Sequence, residues 1–226
     1  MEKLIYVLIG PNDGVGGRVD RIAEAVVPVA REVGGQRMAV LVPDHADEIR
    51  ERCPARIGGD FASLSAVFEC WLPTLDSRRE IESTLSRFSN GLWGYLATES
   101  TMVPCPYDVA EGERVPGITQ WGINDKPAEV ELEDFYQAWA VHSKLSFDLH
   151  PTRDSYIRNA IVRRITPRSP EYLGIVLERF PSLNDFTDES IYFGDPAVVK
   201  KMFAHVPSFY AFDSAITGGL SEYRWA

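Results

Sequence analysis

The chain repeats its own layout, and this constrains its fold more than any other feature. Its 226 residues read twice through the order strand, helix, strand, strand, helix, strand. In the first pass, Leu4 to Ile9 is a continuous apolar run rich in β-formers, as expected of a strand covered on both faces. Helical spacing follows over about residues 18–33 through Ile22, Val26, Val29, Ala30 and Val33, and Gly34-Gly35 stops it. Gln36 to Val42, Ser65 to Leu72 and Tyr95 to Ser100 predict three more strands. A helix is expected over roughly 77–89 with Asp76 as its N-cap. Pro104, Pro106 and Pro116 then mark a linker. The order restarts with a strand over Gly117 to Asn124 and a helix from Leu132 to about Leu149. Strands are expected over Tyr156 to Thr166, Ile175 to Phe180 and Ser221 to Trp225. Asp195-Pro196 opens a final helix to about His205, with Pro at its first position.

One such unit builds an antiparallel sheet with helices on one face, so its other face needs a cover. Two units in one chain can cover each other. The expected class is α+β: two tandem ferredoxin-like (βαββαβ) units packed sheet to sheet as an intrachain barrel. The expected divisions are 1–101 for the first repeat, 102–116 for the linker and 117–226 for the second repeat.

Charge and composition exclude several functions. The net charge is −10, and phosphate contacts need clustered Lys and Arg. Arg163-Arg164 and Lys200-Lys201 are short and read as solvated faces, so no nucleic-acid partner is expected. The three cysteines, Cys53, Cys70 and Cys105, have an odd count and no Cys-x-x-Cys spacing, which argues against a disulfide framework and a zinc ribbon. No window approaches the ~20 apolar residues of a membrane span, and the opening residues do not form a signal h-region. The expectation is a cytoplasmic protein with no membrane partner. The glycines of Gly14-Val15-Gly16-Gly17-Arg18-Val19 fail the dinucleotide fingerprint, because Val19 stands at the third glycine and Asp44 comes late. The Walker lysine is also missing.

The two repeats differ in one chemical respect. The first helix of the second repeat carries Phe135, Trp139, His142 and Ser146 on one stripe. The matching stripe of the first repeat is Ile22, Ala23, Val26 and Val27, with no ionisable group. An imidazole with a reference pKa near ~6.5 can serve as base or acid at neutral pH. His142 is therefore the candidate catalytic group; its alternative is a hydrogen-bonded core histidine. His150 falls near the same stripe at the helix end, where it could also complement the helix dipole. No Asp or Glu completes a metal set on that stripe, so no metal is expected. Tyr6 shares a strand face with Leu4 and Leu8, and Trp121 shares one with Thr119 and Ile123. Asn159 sits between Ile157 and Ile161 on alternate positions, and an amide there must find a partner or face a substrate. Tyr192 and His205 are weaker candidates.

Several stretches carry a family resemblance. They are Tyr95-Leu96-Ala97-Thr98-Glu99-Ser100, Gly112-Glu113-Arg114-Val115-Pro116-Gly117, Trp139-Ala140-Val141-His142 and Tyr156-Ile157-Arg158-Asn159-Ala160-Ile161-Val162-Arg163. With Met1 to Tyr6, they make the chain resemble tandem EthD-domain proteins of the dimeric α+β barrel superfamily. Such proteins often carry several histidines after the tryptophan. Here Ala140 and Ser143 stand in two of those places, and His142 alone remains.

The resemblance implies small aromatic or polyketide-like substrates, frequently handled without a cofactor. The leading expectation is a cofactor-independent lyase, of the decarboxylase or cyclase kind, acting on a small aromatic or phenolic acid or ketone. His142 would move the proton and Asn159 would orient an oxygen. Tyr6, Trp121, Trp139, Tyr192 and His150 would contact the substrate. A non-enzymatic binding or stress protein is one alternative, and a haem-dependent or cofactor-free oxygenase is another. A homodimer of the tandem chain is compatible with the pattern.

Overall fold

The computed structural model describes residues 1–10 and 17–226. Eight strands form one closed barrel in which every neighbouring pair is antiparallel. The first half supplies β1 (Glu2–Ile9), β2 (Gln36–Val42), β3 (Leu64–Leu72) and β4 (Gly91–Val103). The second supplies β5 (Ile118–Asn124), β6 (Ser155–Arg164), β7 (Gly174–Phe180) and β8 (Ile216–Trp225). The order around the barrel is β1-β3-β2-β8-β5-β7-β6-β4. Within each half, the fourth strand thus lies beside the first, the first beside the third and the third beside the second.

The expected intrachain barrel is present. The halves also join at both edges, where β2 pairs with β8 and β4 pairs with β6. Closure leaves no unpaired strand edge. The antiparallel ladders exclude the parallel sheet that a dinucleotide fold requires. Gly14 and Gly16, the start of the glycine-rich stretch, lie outside the described residues.

The helices coat the barrel. Helix α1 (Arg18–Glu32) lays Ile22, Val26, Val27 and Ala30 on Leu4, Tyr6 and Leu8 of β1. Each large apolar side chain so covered contributes about 1.5–3 kcal/mol. α1 ends in a Schellman turn: Gly35 N donates to Ala30 O, and Gly34 N to Arg31 O. Gly34 has φ +80 there, a conformation that glycine adopts without steric cost. A short helix α2 (Ala46–Arg52) follows, then α3 (Arg79–Leu85), entered through a 3₁₀ turn. The cap of that turn is Thr74, whose hydroxyl accepts from Asp76 N, so the expected Asp76 cap is corrected. In the second half, α4 (Leu132–Leu149) spans its expected length. Two short helices, α5 (Leu183–Thr187) and α6 (Glu189–Tyr192), occupy a stretch the periodicity left open. Helix α7 (Pro196–His205) starts as expected, with Asp195 Oδ1 accepting from Ala197 N at 2.7 Å.

Strand alternation sends side chains to two apolar compartments. Ile5, Val7, Leu41, Val67, Tyr95, Trp121, Ile123, Ile175 and Leu220 fill the barrel interior. Leu4, Tyr6, Leu8, Val40 and Phe68 point the other way, under α1 and α3. Among the described residues, no helix is long and apolar enough to cross a membrane. The three cysteines are free, as their spacing predicts.

Candidate functional site

The cavity beside His142 lies between the sheet and the helices of the second half. It has a volume of about 290 Å³, at the lower edge of the usual range for small-molecule sites. Trp139 and His142 of α4 form one wall. Gln120, Tyr156 and Glu178 rise from the sheet, and Phe209 and Tyr210 close the side after α7.

Helix periodicity places the first wall. Phe135 and Trp139 stack at 5.5 Å between ring centroids, and Phe209 packs on Phe135 at 6.4 Å. The next turn of the same stripe delivers the His142 ring against Phe209, with centroids 4.6 Å apart. His205 stacks on it at 6.1 Å, also touches Phe209 at 5.9 Å, and is anchored by an Nε2 contact to Ala138 O at 3.0 Å. Arg158 covers the Trp139 ring at 4.0 Å. Nδ1 of His142 is buried without a hydrogen-bond partner among the described residues. Burial in this apolar slot pushes the imidazole down from 6.5 to about 4; the Glu178 carboxylate pulls it back up, while His205, His150 and Arg153 add to the depression. With its pKa held at about 4, the ring is neutral at pH 7, and the ring lines the cavity.

Glu178 is the residue that the sequence reading missed. It is buried in β7 and ion-paired with the equally buried Arg153. Burial would raise its carboxyl pKa, but Arg153, His150 and His142 outweigh that and hold it below the usual range. The signal was partial: two adjacent charges, Glu178 and Arg179, interrupt the apolar run from Ile175 to Phe180, and the run itself does not say which of them faces the helices. Tyr156 was also missed; its hydroxyl donates to Ser143 Oγ at 3.0 Å.

The other predicted site residues are dispersed. Trp139 alone joins His142 on the cavity wall. Asn159 is fully buried on the opposite face of β6, among the barrel-interior side chains, so its expected partnership with His142 is corrected. Both of its amide atoms lack partners among the described residues. Trp121 also fills the barrel interior, not the cavity. Tyr6 lies in the first half, with its hydroxyl 3.2 Å from Glu82 Oε1. Tyr192 and His150 pack on each other at 4.2 Å in an aromatic cluster below the site. His150 Nδ1 contacts Tyr192 O at 3.0 Å, and the Tyr192 hydroxyl donates to Gln120 Oε1 at 2.6 Å. These two support the cavity from beneath and do not line it.

Cofactor capacity follows from the donor set. Among the described residues, no group of three or more His, Cys, Asp or Glu could hold a metal ion. A haem would need His142 as axial ligand, cationic partners for its propionates and room for the macrocycle. Among the described residues, no Lys or Arg lines the cavity, and its volume is about 290 Å³. The unpaired Nδ1 also lacks the outer hydrogen bond that a metal-bound histidine almost always makes. These residues do not fit a haem.

No family model matches the chain, and no curated protein matches it. Solved structures do. One is a "putative monooxygenase" from Lactobacillus acidophilus NCFM, 10% identical, with TM-score 0.50, covering 98% of this chain and 93% of that one. Another is an anthrone oxidase-like protein, 9% identical, with TM-score 0.60 and coverage of 99% and 93%. A third is a "putative monooxygenase" from Fusobacterium nucleatum subsp. nucleatum, 7% identical, with TM-score 0.55 and coverage of 100% and 92%. At such identities the likeness shows the fold, which is that of the dimeric α+β barrels. The lyase expectation is corrected by the same comparison. The proteins that share this fold over nearly their whole length are named for oxygen chemistry, and none of the three for decarboxylation or cyclisation.

Proposed function

We propose that the chain is an oxygen-consuming oxidoreductase, of the monooxygenase or oxidase kind, acting on a small aromatic compound in the His142 cavity. The observation that carries this reading is the neutral His142, half-buried beside an aromatic-walled void, with Nδ1 unpaired. Monooxygenase and oxidase-like proteins of the same fold support it. The proposal includes the tandem reading, with EthD-type repeats over 1–101 and 117–226 joined by residues 102–116. The same strand order in both halves supports that reading.

The chemistry needs only a base and a dry pocket. A neutral imidazole accepts a proton from an acidic C–H or phenolic O–H of the substrate. The resulting carbanion or phenolate is electron-rich and passes one electron to O₂, giving a substrate radical and superoxide. Their combination forms a C–O bond, and the imidazolium returns its proton to the peroxide. For a methylene between two aryl groups, loss of water then leaves a ketone, with one oxygen in the product and one in water. The depressed basicity of His142 does not prevent this, because the substrate anion forms beside the imidazolium and stabilises it. Trp139, Phe209 and Tyr210 give the cavity an apolar wall against which an aromatic body can rest.

An oxygen electrode with anthrone and 1,4-hydroquinone as probes tests the reading. His142→Gln is expected to lower uptake by about 10²–10⁴-fold, the usual contribution of a general base. Wild-type uptake that survives His142→Gln unchanged refutes the role given to His142. Tight binding of the probes without any uptake refutes the enzymatic reading in favour of a binding protein.

A further inference from the structure

A second cavity opens at one mouth of the barrel, on the other side of the sheet from His142. Its volume is about 400 Å³. Eight-stranded barrels can hold one small ligand in this position. The interior here is charged, whereas the rest of the barrel interior is apolar apart from Asn159. Lys3 is buried and bridges Glu69 Oε2 at 2.9 Å and Glu99 Oε2 at 2.7 Å. Arg37 takes the other Glu99 oxygen at 3.0 Å. Glu222 is held by Arg224 at 2.5 Å and by the Thr119 hydroxyl at 3.2 Å.

Each cation on the wall is thus already paired with a carboxylate. The carboxylates are not all satisfied in return. Glu69 is 6% exposed, lines the cavity, and keeps Oε1 buried without a hydrogen-bond partner among the described residues. Five carboxylates face three cations around the wall. An anion entering here meets cations already engaged by carboxylates, whereas a donor meets a buried acceptor that has no partner among the described residues. The remaining wall is apolar, with Trp225, Ile157 and Leu177.

We infer that the barrel mouth is a second binding site, which takes a small organic ammonium ion with an apolar body. The ammonium group donates to Glu69 Oε1, and the body rests on Trp225, Ile157 and Leu177. A buried, unpaired carboxylate oxygen is costly, and a charge-assisted hydrogen bond removes that cost. Burial pushes the Glu69 carboxyl above its usual range despite Lys3, as expected of an acid whose counter-charge is incomplete. The segment joining the halves crosses this mouth and supplies Tyr107 and Asp108 to the wall. Arg179 pins it by stacking on the Tyr107 ring at 4.2 Å.

Calorimetric titration with benzylamine, benzyl alcohol and benzoate tests the inference on the full chain. Benzylamine is expected to bind saturably at millimolar concentration or below, with the alcohol and the acid at least about tenfold weaker. Glu69→Gln removes the charge and is expected to weaken benzylamine about tenfold or more. Tyr107→Ala acts from the crossing segment and is expected to weaken it as well. If Glu69→Gln fails to fold, Tyr107→Ala decides where the amine sits. No saturable amine binding, equal affinity for the alcohol, or wild-type affinity in the folded variants overturns the inference. None of these results depends on oxygen uptake, so the site stands or falls apart from the proposed reaction.

Discussion

Acid should unmask the buried imidazole of His142 as a stability term. Burial holds its pKa at about 4 in the folded protein, against 6.5 for an unperturbed histidine. Between those two values the unfolded chain binds a proton that the folded chain refuses. Stability is therefore fully present above the unfolded value and falls as pH drops through this window. At about 1.4 kcal/mol per pH unit the ceiling is about 3 kcal/mol. The ring is half-buried, so solvent screening reduces this to roughly 2 kcal/mol. His142→Gln keeps the approximate size and polarity but cannot titrate. His150, whose pKa is lowered by burial as well, titrates in both proteins and cancels from the difference. Urea unfolding of both proteins from about pH 7 to about pH 4 measures the gap. The variant should gain about 2 kcal/mol on the wild type over this range, or roughly 4–8 °C in melting temperature. A gap constant to within about 0.5 kcal/mol would show that His142 titrates normally, and the neutral-base argument would fail with it.

Three substitutions probe the surroundings. Glu178→Gln leaves the Arg153 guanidinium buried without its carboxylate; a loss of about 3–5 kcal/mol is expected in thermal unfolding, and a loss under 1 would show that the pair is solvated. A Cβ at Gly94 would sit 2.8–2.9 Å from Thr166, Ile165 and Tyr6, so Gly94→Ala should cost about 1–3 kcal/mol by overpacking, and an unchanged melting temperature would contradict that contact. Asn159→Leu replaces a fully buried amide that has no partner among the described residues; stability is expected to hold or rise by about 1–3 kcal/mol, and a fall would reveal a bridging water or ligand in the barrel.

Much of the fold was legible because its signals are local. Gln36–Val42 and Leu132–Leu149 match their predicted spans. The Gly34-Gly35 stop and the Asp195-Pro196 start work through backbone geometry that the residue types themselves impose. The barrel itself was expected, but the strand pairs that close it were not legible. They are β2 with β8 and β4 with β6, contacts between distant parts of the chain. Helices α5 and α6 escaped notice because each is only about one turn long, too short to show a period.

The site was legible on the helix and not on the strands, and the reason is geometric. Helix α4 has one buried face, so a histidine in register with Phe135 and Trp139 must approach the sheet. A strand of this barrel has two buried faces, one under the helices and one inside the closed sheet. Both demand apolar residues, so the run from Leu4 to Ile9 carries no mark of which side is which. Parity alone then decides function. It turns Tyr6 outward beneath the helices of the first half, and Trp121 and Asn159 into the barrel, away from His142. The same parity brings Glu178 to the helix side while its neighbour Leu177 faces inward. In a chain of this kind, the informative residue on a strand is a charge in an otherwise apolar run that parity turns toward the helices, as it does Glu178 and not its neighbour Arg179. Its burial must be offset by a partner, and at Glu178 that partner is Arg153, with His142 and His150 close enough to feel the same carboxylate.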